Sequence, residues 1–146
     1  MMPFESPRAL GYRPVGEWER NAACITAWPA HAYAWGEFLA RAQAEFTAFC
    51  HALLTDEGSE RMLLLVPDAA AEAQARTALA ALGKYVDYRQ TDCGDVWLRD
   101  TGPLVVQDGT RQIARRFGFN GWGGKYEMDG DQEIGADLAA SAGLPV

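Results

Sequence analysis

The stretch Asp95-Val96-Trp97-Leu98-Arg99-Asp100-Thr101-Gly102-Pro103 combines carboxylates, a large aromatic ring and a turn within a few residues. These parts suit a planar cation, because a carboxylate can accept two parallel hydrogen bonds from a guanidinium while an indole packs along the attached alkyl chain. We therefore expect Asp100 and Trp97 to bind a cation. An extended conformation over residues 95–100 would place Asp95, Trp97 and Arg99 on one face, with Asp100 on the other unless the Thr-Gly-Pro turn bends it back.

A plainer interpretation of the same stretch is a strand that ends in a turn. In that case Asp95 bonds to the local backbone and Asp100 is solvated. A second segment, Phe117-Gly118-Phe119-Asn120-Gly121-Trp122-Gly123-Gly124, favours a site, since four glycines among three aromatics indicate a backbone shaped around a ligand. Asn120 and Trp122 are the candidate substrate-binding residues of this segment.

The composition predicts a soluble intracellular protein. The 146 residues are 49% hydrophobic, which suffices for one domain, and the net charge of -7 disfavours nucleic acid and mildly favours cationic ligands. No apolar run reaches the roughly 18 residues of a membrane span, and the first residues lack the apolar block of a signal peptide. We expect a cytoplasmic location and no membrane partner. Three cysteines without C-x-x-C spacing predict reduced thiols rather than a disulfide framework or a zinc site.

Strand and helix patterns alternate along the chain, which predicts an α/β fold with mixed sheets. The expected elements are a strand at 24–27, a helix over 37–54, a strand buried on both faces at 62–66, a helix capped by Asp68 and running to 82, a strand at 85–90, a hairpin of 104–106 with 112–117, and a helix over 131–142. The hairpin follows from Asp108-Gly109, a favoured turn pair. The first long helix has one apolar face, formed by Phe38, Ala42, Phe46, Phe49 and Leu53.

Together the two motifs resemble those of the agmatine deiminase and bacterial peptidylarginine deiminase family, whose members carry W-x-R-D-x-G-P followed by F-N-x-W-G-G. Glu17-Trp18-Glu19 followed by Ile25-Thr26-Ala27-Trp28-Pro29 also looks like the first strand of that family. The resemblance runs from about residue 14 to the end. It implies the pentein architecture, an α/β propeller of five blades around a central active site, of which this chain would form about two. We expect residues 1–146 to be a single domain segment, the N-terminal part of a guanidine deiminase domain.

The resemblance also implies a reaction. A cysteine thiolate attacks the guanidino carbon, ammonia leaves, and water resolves the covalent intermediate to a ureido product, assisted by a histidine and acidic residues. Only the W-x-R-D aspartate of that set matches this chain, as Asp100. It would anchor the guanidinium, with Trp97 against the alkyl chain and Asp95, Asn120 and Trp122 as further substrate contacts. We expect agmatine and water to give N-carbamoylputrescine and ammonia, and this chain alone to be inactive.

No triad can be assembled from the local residues instead. Carboxylates near Cys93 disfavour a thiolate, and Cys24 and Cys50 are expected to be core residues. Neither histidine has a motif context. The segment 129–133 lacks the spacing of a calcium loop and is better explained by helix capping. We therefore expect no metal and no cofactor.

Two alternatives remain open at this stage. One is a related peptidylarginine or arginine deiminase, or an amidinotransferase, which shares the guanidino chemistry. The other is a non-catalytic short paralogue that binds guanidinium ligands or caps a partner. The expected partners are a small cationic guanidino substrate and either a second copy of the chain or the remaining part of the same protein.

Overall fold

The computed structural model describes residues 6–16, 18–54, 61–94 and 96–146. Within these ranges the elements are, in order, β1 (Arg13–Pro14), β2 (Ala23–Ala27), α1 (Ala32–Trp35), α2 (Leu39–Leu53), β3 (Arg61–Val66), α3 (Ala69–Ala78), β4 (Val86–Gln90), α4 (Leu98–Thr101), β5 (Leu104–Gln107), β6 (Gln112–Arg115), α5 (Gly121–Gly124) and α6 (Ile134–Ser141). Short 3-10 helices at Gly36–Phe38 and Ala80–Leu82 precede α2 and follow α3.

The strands form two three-stranded sheets. One is parallel, in the order β2-β3-β4, and the other is antiparallel, in the order β1-β5-β6. In the parallel sheet Cys24 lies opposite Met62, and Met62 lies opposite Val86. The predicted α/β fold is therefore confirmed, although each sheet is wholly parallel or wholly antiparallel rather than mixed.

β3 is the central strand of the parallel sheet and is buried on both faces, as predicted. Alternate side chains of a strand point to opposite faces, so β3 contributes to two separate cores. Met62, Leu64 and Val66 pack with α2 and α3 in the first core. Leu65 packs on the other side with residues of α4 and α6, among them Leu98, Ile134 and Leu138.

The helices that cover the first face begin and end close to the predicted residues. The Asp68 side chain caps α3 by accepting a hydrogen bond from the Ala71 N–H at 2.7 Å, as predicted. The predicted apolar face of the first long helix was less accurate, because Phe38, which precedes α2, and Phe49 and Leu53 within it are exposed. Cys50 is fully buried, as predicted, and Phe46 lies partly buried against the Trp28 ring at a centroid distance of 5.6 Å.

β5 and β6 form the predicted hairpin, with Gln107 opposite Gln112. Gly109 has the positive φ of 95° that such a turn requires. The Asp108 carboxylate closes the turn by accepting hydrogen bonds from the backbone N–H groups of Thr110 and Arg111 at 2.9 and 2.7 Å.

Among the helices of the described ranges, none combines the length and the apolar character that a membrane crossing needs.

We expect Leu65→Ala to lower the free energy of unfolding by about 2–5 kcal/mol, because the substitution leaves a cavity at a fully buried site. Leu104→Ala is the matched control. Leu104 is also a strand residue but is 46% exposed, so its loss should cost less than about 1 kcal/mol. Urea denaturation followed by circular dichroism measures both. Equal losses for the two variants would contradict the two-core description.

We expect the Asp108 carboxyl to titrate well below its ordinary range. Hydrogen bonds from the Arg111 backbone, then from the Thr110 backbone and hydroxyl, lower its pKa from 3.8 to about 2. A carboxyl with a depressed folded-state pKa stabilises the fold above its unfolded pKa, and that contribution is lost as the pH falls from about 4 through about 2. NMR titration should therefore show a midpoint near 2. A midpoint near 3.8 would mean that the carboxylate does not hold the turn.

Candidate active site

The W-x-R-D motif forms a helical turn, not the extended segment that the sequence suggested. In α4, Leu98 and Thr101 are three residues apart and both buried, while Arg99 and Asp100 face outward. Leu98 joins the second core, and that burial favours the helical spacing over strand alternation. The prediction that Trp97 and Arg99 share a strand face is therefore wrong. Asp95 lies outside the described residues.

A glycine closes this turn. The Gly102 N–H donates to the Leu98 carbonyl at 2.8 Å, and a β-carbon at position 102 would approach that same oxygen to 2.5 Å. No ordinary side chain fits at that distance. The Gly-Pro pair of the motif therefore ends the helical turn and leads the chain directly into β5 at Leu104.

The loop between β4 and α4 is fixed by two contacts that sequence reasoning missed. The His31 Nε2 lies 2.8 Å from the Cys93 carbonyl oxygen, which joins the loops that follow β2 and β4. The Gly94 N–H donates to Asp131 Oδ1 at 3.2 Å, and a β-carbon on Gly94 would lie 2.7 Å from that oxygen. Asp131 thus contacts the motif loop, whereas α6 begins at Ile134 after the N-cap residue Glu133, which makes no side-chain cap hydrogen bond. Capping therefore does not account for Asp131.

The aromatic and glycine-rich motif adopts an unusual backbone. Trp122 has φ 53° and ψ 50°, a left-handed conformation that costs a residue with a side chain about 1–2 kcal/mol, and Gly123 and Gly124 have positive φ as well. Asn120 stabilises this turn, because its Oδ1 accepts a hydrogen bond from the Gly123 N–H at 3.0 Å. The Gly124 N–H donates to the Asn120 carbonyl at 2.7 Å. Backbone strain of this kind concentrates at functional sites.

Trp97 and Trp122, one from each motif, line a single open cleft of about 610 Å³. The Trp122 ring also contacts Phe119 and Tyr126 edge to face, at centroid distances of 4.9 and 6.0 Å. The other residues that line the cleft are Tyr33, Ala34, Lys125, Tyr126, Glu127 and Met128. The structure therefore brings together two of the predicted site residues and adds a carboxylate, Glu127, that the motifs did not indicate.

Asp100 and Asn120 line other clefts. Asp100 borders one of about 470 Å³ with Arg99 and mostly apolar neighbours, namely Ile25, Leu98, Pro103, Leu104, Phe117 and Leu138. Its side chain makes no ion pair or hydrogen bond with the described residues. Asn120 lines a smaller cleft with Phe119 and Gln132, whose amide donates to the Phe119 carbonyl. Asp100 is thus a carboxylate available for an external cation.

Two of the three thiols, those of Cys50 and Cys93, are poorly suited to nucleophilic attack because they are buried. Burial raises the pKa of Cys50 to about 12, and Cys93 is also buried. All three cysteines lie in the described ranges, and none forms a disulfide. Cys24 is only half-buried, so the prediction that it is a core residue is wrong. A thiol reacts as its thiolate, which burial disfavours. Across the described ranges no group of His, Cys, Asp and Glu side chains is arranged to hold a metal ion.

Comparison with known proteins gives consistent matches to one family. The family model of the Porphyromonas-type peptidyl-arginine deiminases matches residues 13–146. The agmatine deiminase of Pseudomonas aeruginosa (strain LESB58) is 32% identical over 124 residues, which are 84% of this chain and 32% of the relative. A relative from Marinomonas sp. (strain MWYL1) is 32% identical over 148 residues, with coverage of 96% and 38%. The chain thus spans less than two fifths of the length of either relative.

Solved structures show the same fold. The agmatine deiminase of Enterococcus faecalis superposes with a TM-score of 0.79 at 21% identity, covering 99% of this chain and 39% of that one. The C. jejuni agmatine deiminase superposes with a TM-score of 0.72 at 22% identity, covering 88% and 37%. Because the family model extends over both motifs and nearly the whole sequence, this chain belongs to the Porphyromonas-type peptidyl-arginine deiminase family.

Proposed function

We propose that this chain is part of a guanidine deiminase that hydrolyses agmatine to N-carbamoylputrescine and ammonia. The observation that carries the proposal is that Trp97 and Trp122, which are 25 residues apart and belong to different motifs, line one aromatic cleft. An alkyl chain that carries a cation packs well against such rings. The family membership and the relatives named agmatine deiminase support the same chemistry.

Asp100 is the proposed guanidinium anchor. Its carboxylate is exposed and unpaired among the described residues, so it is available for a bidentate contact with a planar cation. Trp97 precedes it by a single helical turn, and the Asp100 N–H donates to the Trp97 carbonyl at 3.0 Å. Asp95 and Asn120 remain proposed substrate contacts. Asp95 lies outside the described residues, and the Asn120 side chain already accepts a hydrogen bond that stabilises a turn.

The nucleophile of the reaction is proposed to come from residues other than those of this chain. Breaking a guanidinium C–N bond at neutral pH needs a strong nucleophile and a proton shuttle, which in the proposed reaction are a cysteine thiolate and a histidine. Cys50 and Cys93 are buried, and His31 contacts the Cys93 backbone rather than a thiol. The rest of a longer deiminase would supply these groups, and would also complete a five-bladed pentein ring of which this chain forms about two blades.

A second candidate is a non-catalytic module that binds guanidinium ligands. The aromatic cleft and Asp100, which has no ion-pair partner among the described residues, would suffice for such a module, because binding a guanidinium needs no nucleophile. The two candidates differ in one measurable respect. A deiminase converts agmatine to a ureido product with release of ammonia, whereas a binding module leaves agmatine intact.

We expect the protein that contains this chain together with the remaining deiminase fold to form more ureido product from agmatine than from arginine or peptidyl-arginine. Colorimetric detection of the ureido group, with ammonia measured in parallel, compares the three substrates. Product from arginine or peptidyl-arginine alone would reject agmatine but keep the deiminase class. Ligand binding without any product would favour the binding module.

We expect Asp100→Asn in that protein to reduce kcat/KM for agmatine by about 30-fold or more, equivalent to about 2 kcal/mol or more, because a charge-assisted contact with the guanidinium is lost. Asp87→Asn is the matched control. This substitution breaks the exposed ion pair between Asp87 and Arg61, and such a pair contributes at most about 1 kcal/mol to stability. Neither residue lines either cleft. If Asp100→Asn stays within tenfold of the unsubstituted protein, Asp100 is not the anchor.

A further inference from the structure

The aromatic cleft has the properties of a cation site. It is lined by four aromatic residues that are each between 46% and 70% exposed, namely Tyr33, Trp97, Trp122 and Tyr126. Aromatic faces carry negative charge density and attract an ammonium group placed over them. Several exposed aromatic rings in one cleft form a contiguous apolar surface. Surfaces of this kind usually mark a binding site.

Two charged side chains line the same cleft, Lys125 and Glu127. The Lys125 Nζ lies 5.0 Å from the centroid of the Tyr126 ring, so this cation already has a partner. Glu127 has none, since its carboxylate makes no ion pair or hydrogen bond with the described residues. An unpaired carboxylate among aromatic rings favours a ligand that carries positive charge.

The local backbone fixes where Glu127 lies. The N–H groups of Lys125 and Tyr126 both donate to the Gly121 carbonyl, at 2.9 and 3.0 Å. Gly121 is buried, and a β-carbon there would collide with the Tyr126 carbonyl group. The turn that projects Trp122 into the cleft therefore also sets the position of the two charged residues that follow it.

We propose that Glu127 binds the primary ammonium end of the guanidino substrate within this aromatic cleft, and so selects an amine-terminated guanidine over an amino acid or peptide. The inference rests on the proposed function, in which Asp100 holds the opposite, guanidinium end. Arginine carries a carboxylate beside its ammonium, and that carboxylate would be repelled by Glu127. Peptidyl-arginine carries no charge at the corresponding position.

The test is calorimetric binding of two ligands to the 146-residue chain. Agmatine has both a guanidinium and an ammonium group, whereas butylguanidine has the guanidinium alone. We expect agmatine to bind about tenfold more tightly, the equivalent of one charge-assisted hydrogen bond. Glu127→Gln should abolish this difference and leave butylguanidine unchanged, while Asp100→Asn should weaken both ligands. Added salt should reduce the agmatine advantage, because exposed charges are screened over about 10 Å at 0.1 M.

Glu45→Gln is the matched control. Glu45 is an exposed residue of α2 whose carboxylate pairs with Arg41, away from the aromatic cleft, so its substitution should change neither affinity. NMR spectra of each variant establish that the fold is kept. This check also separates a local effect of Glu127→Gln from unfolding.

The possible failures are distinct. If neither ligand binds, the guanidine site and this inference both fail. Equal affinity of the unsubstituted chain for agmatine and butylguanidine would overturn the role of Glu127 alone, as would an equal loss of both ligands in Glu127→Gln. Tighter binding of arginine than agmatine, with the difference lost in Lys125→Met, would show that the cleft takes a zwitterionic amino-acid end instead.

Discussion

The burial of β3 on both faces is the constraint on which the rest of the structure depends. Met62, Leu64 and Val66 pack under α2 and α3, while Leu65 faces α4 and α6. A strand buried in this way has to lie between two layers, so it fixes which helices cover which face of the parallel sheet. The second layer contains Leu98, and the W-x-R-D motif is therefore attached to the core through its least polar residue.

The parallel direction of β2, β3 and β4 then decides where the candidate site lies. Parallel strands end at the same edge of a sheet, and ligands in such sheets bind beyond the carboxyl ends of the strands. Here the loops after β2 and β4 meet at that edge, where His31 contacts the Cys93 carbonyl. Asp131 joins the same loop through Gly94 and so connects it to the segment that follows the second motif. The β5–β6 hairpin, in which Leu104 lies opposite Arg115, brings the end of the first motif beside the start of the second, and these loop contacts add to that pairing.

Features with a local physical cause were predictable from the sequence. The apolar run at 62–66, the Asp68 cap and the Asp108-Gly109 hairpin each depend on a few neighbouring residues. The helical turn of α4 was not predictable in this way, because four residues are too short to show a period, and the burial of Leu98 against Ile134 and Leu138 decides its conformation.

Long-range contacts escaped sequence reasoning for a different reason. His31 and Gly94 carry no local pattern that names their partners, which are 62 and 37 residues away. The same holds for Glu127, whose place in the cleft depends on the left-handed turn at Trp122. For the first motif, the sequence predicted that Trp97 and Asp100 suit a cation, but it did not predict the helical turn that positions them.

The helical turn at α4 has a consequence for any ligand that contacts both Trp97 and Asp100. A strand would have presented these side chains on opposite faces of one element, but the turn places Trp97 at the start of α4, beside the aromatic cleft, and Asp100 beside a second cleft. The two residues are still joined by one backbone hydrogen bond. If Asp100 and Glu127 bind the two ends of the substrate as proposed, the substrate would lie across the start of α4, with one charged end in each cleft. In that arrangement the two ends would be recognised separately, because each cleft has a carboxylate, Asp100 or Glu127, that makes no ion pair with the described residues.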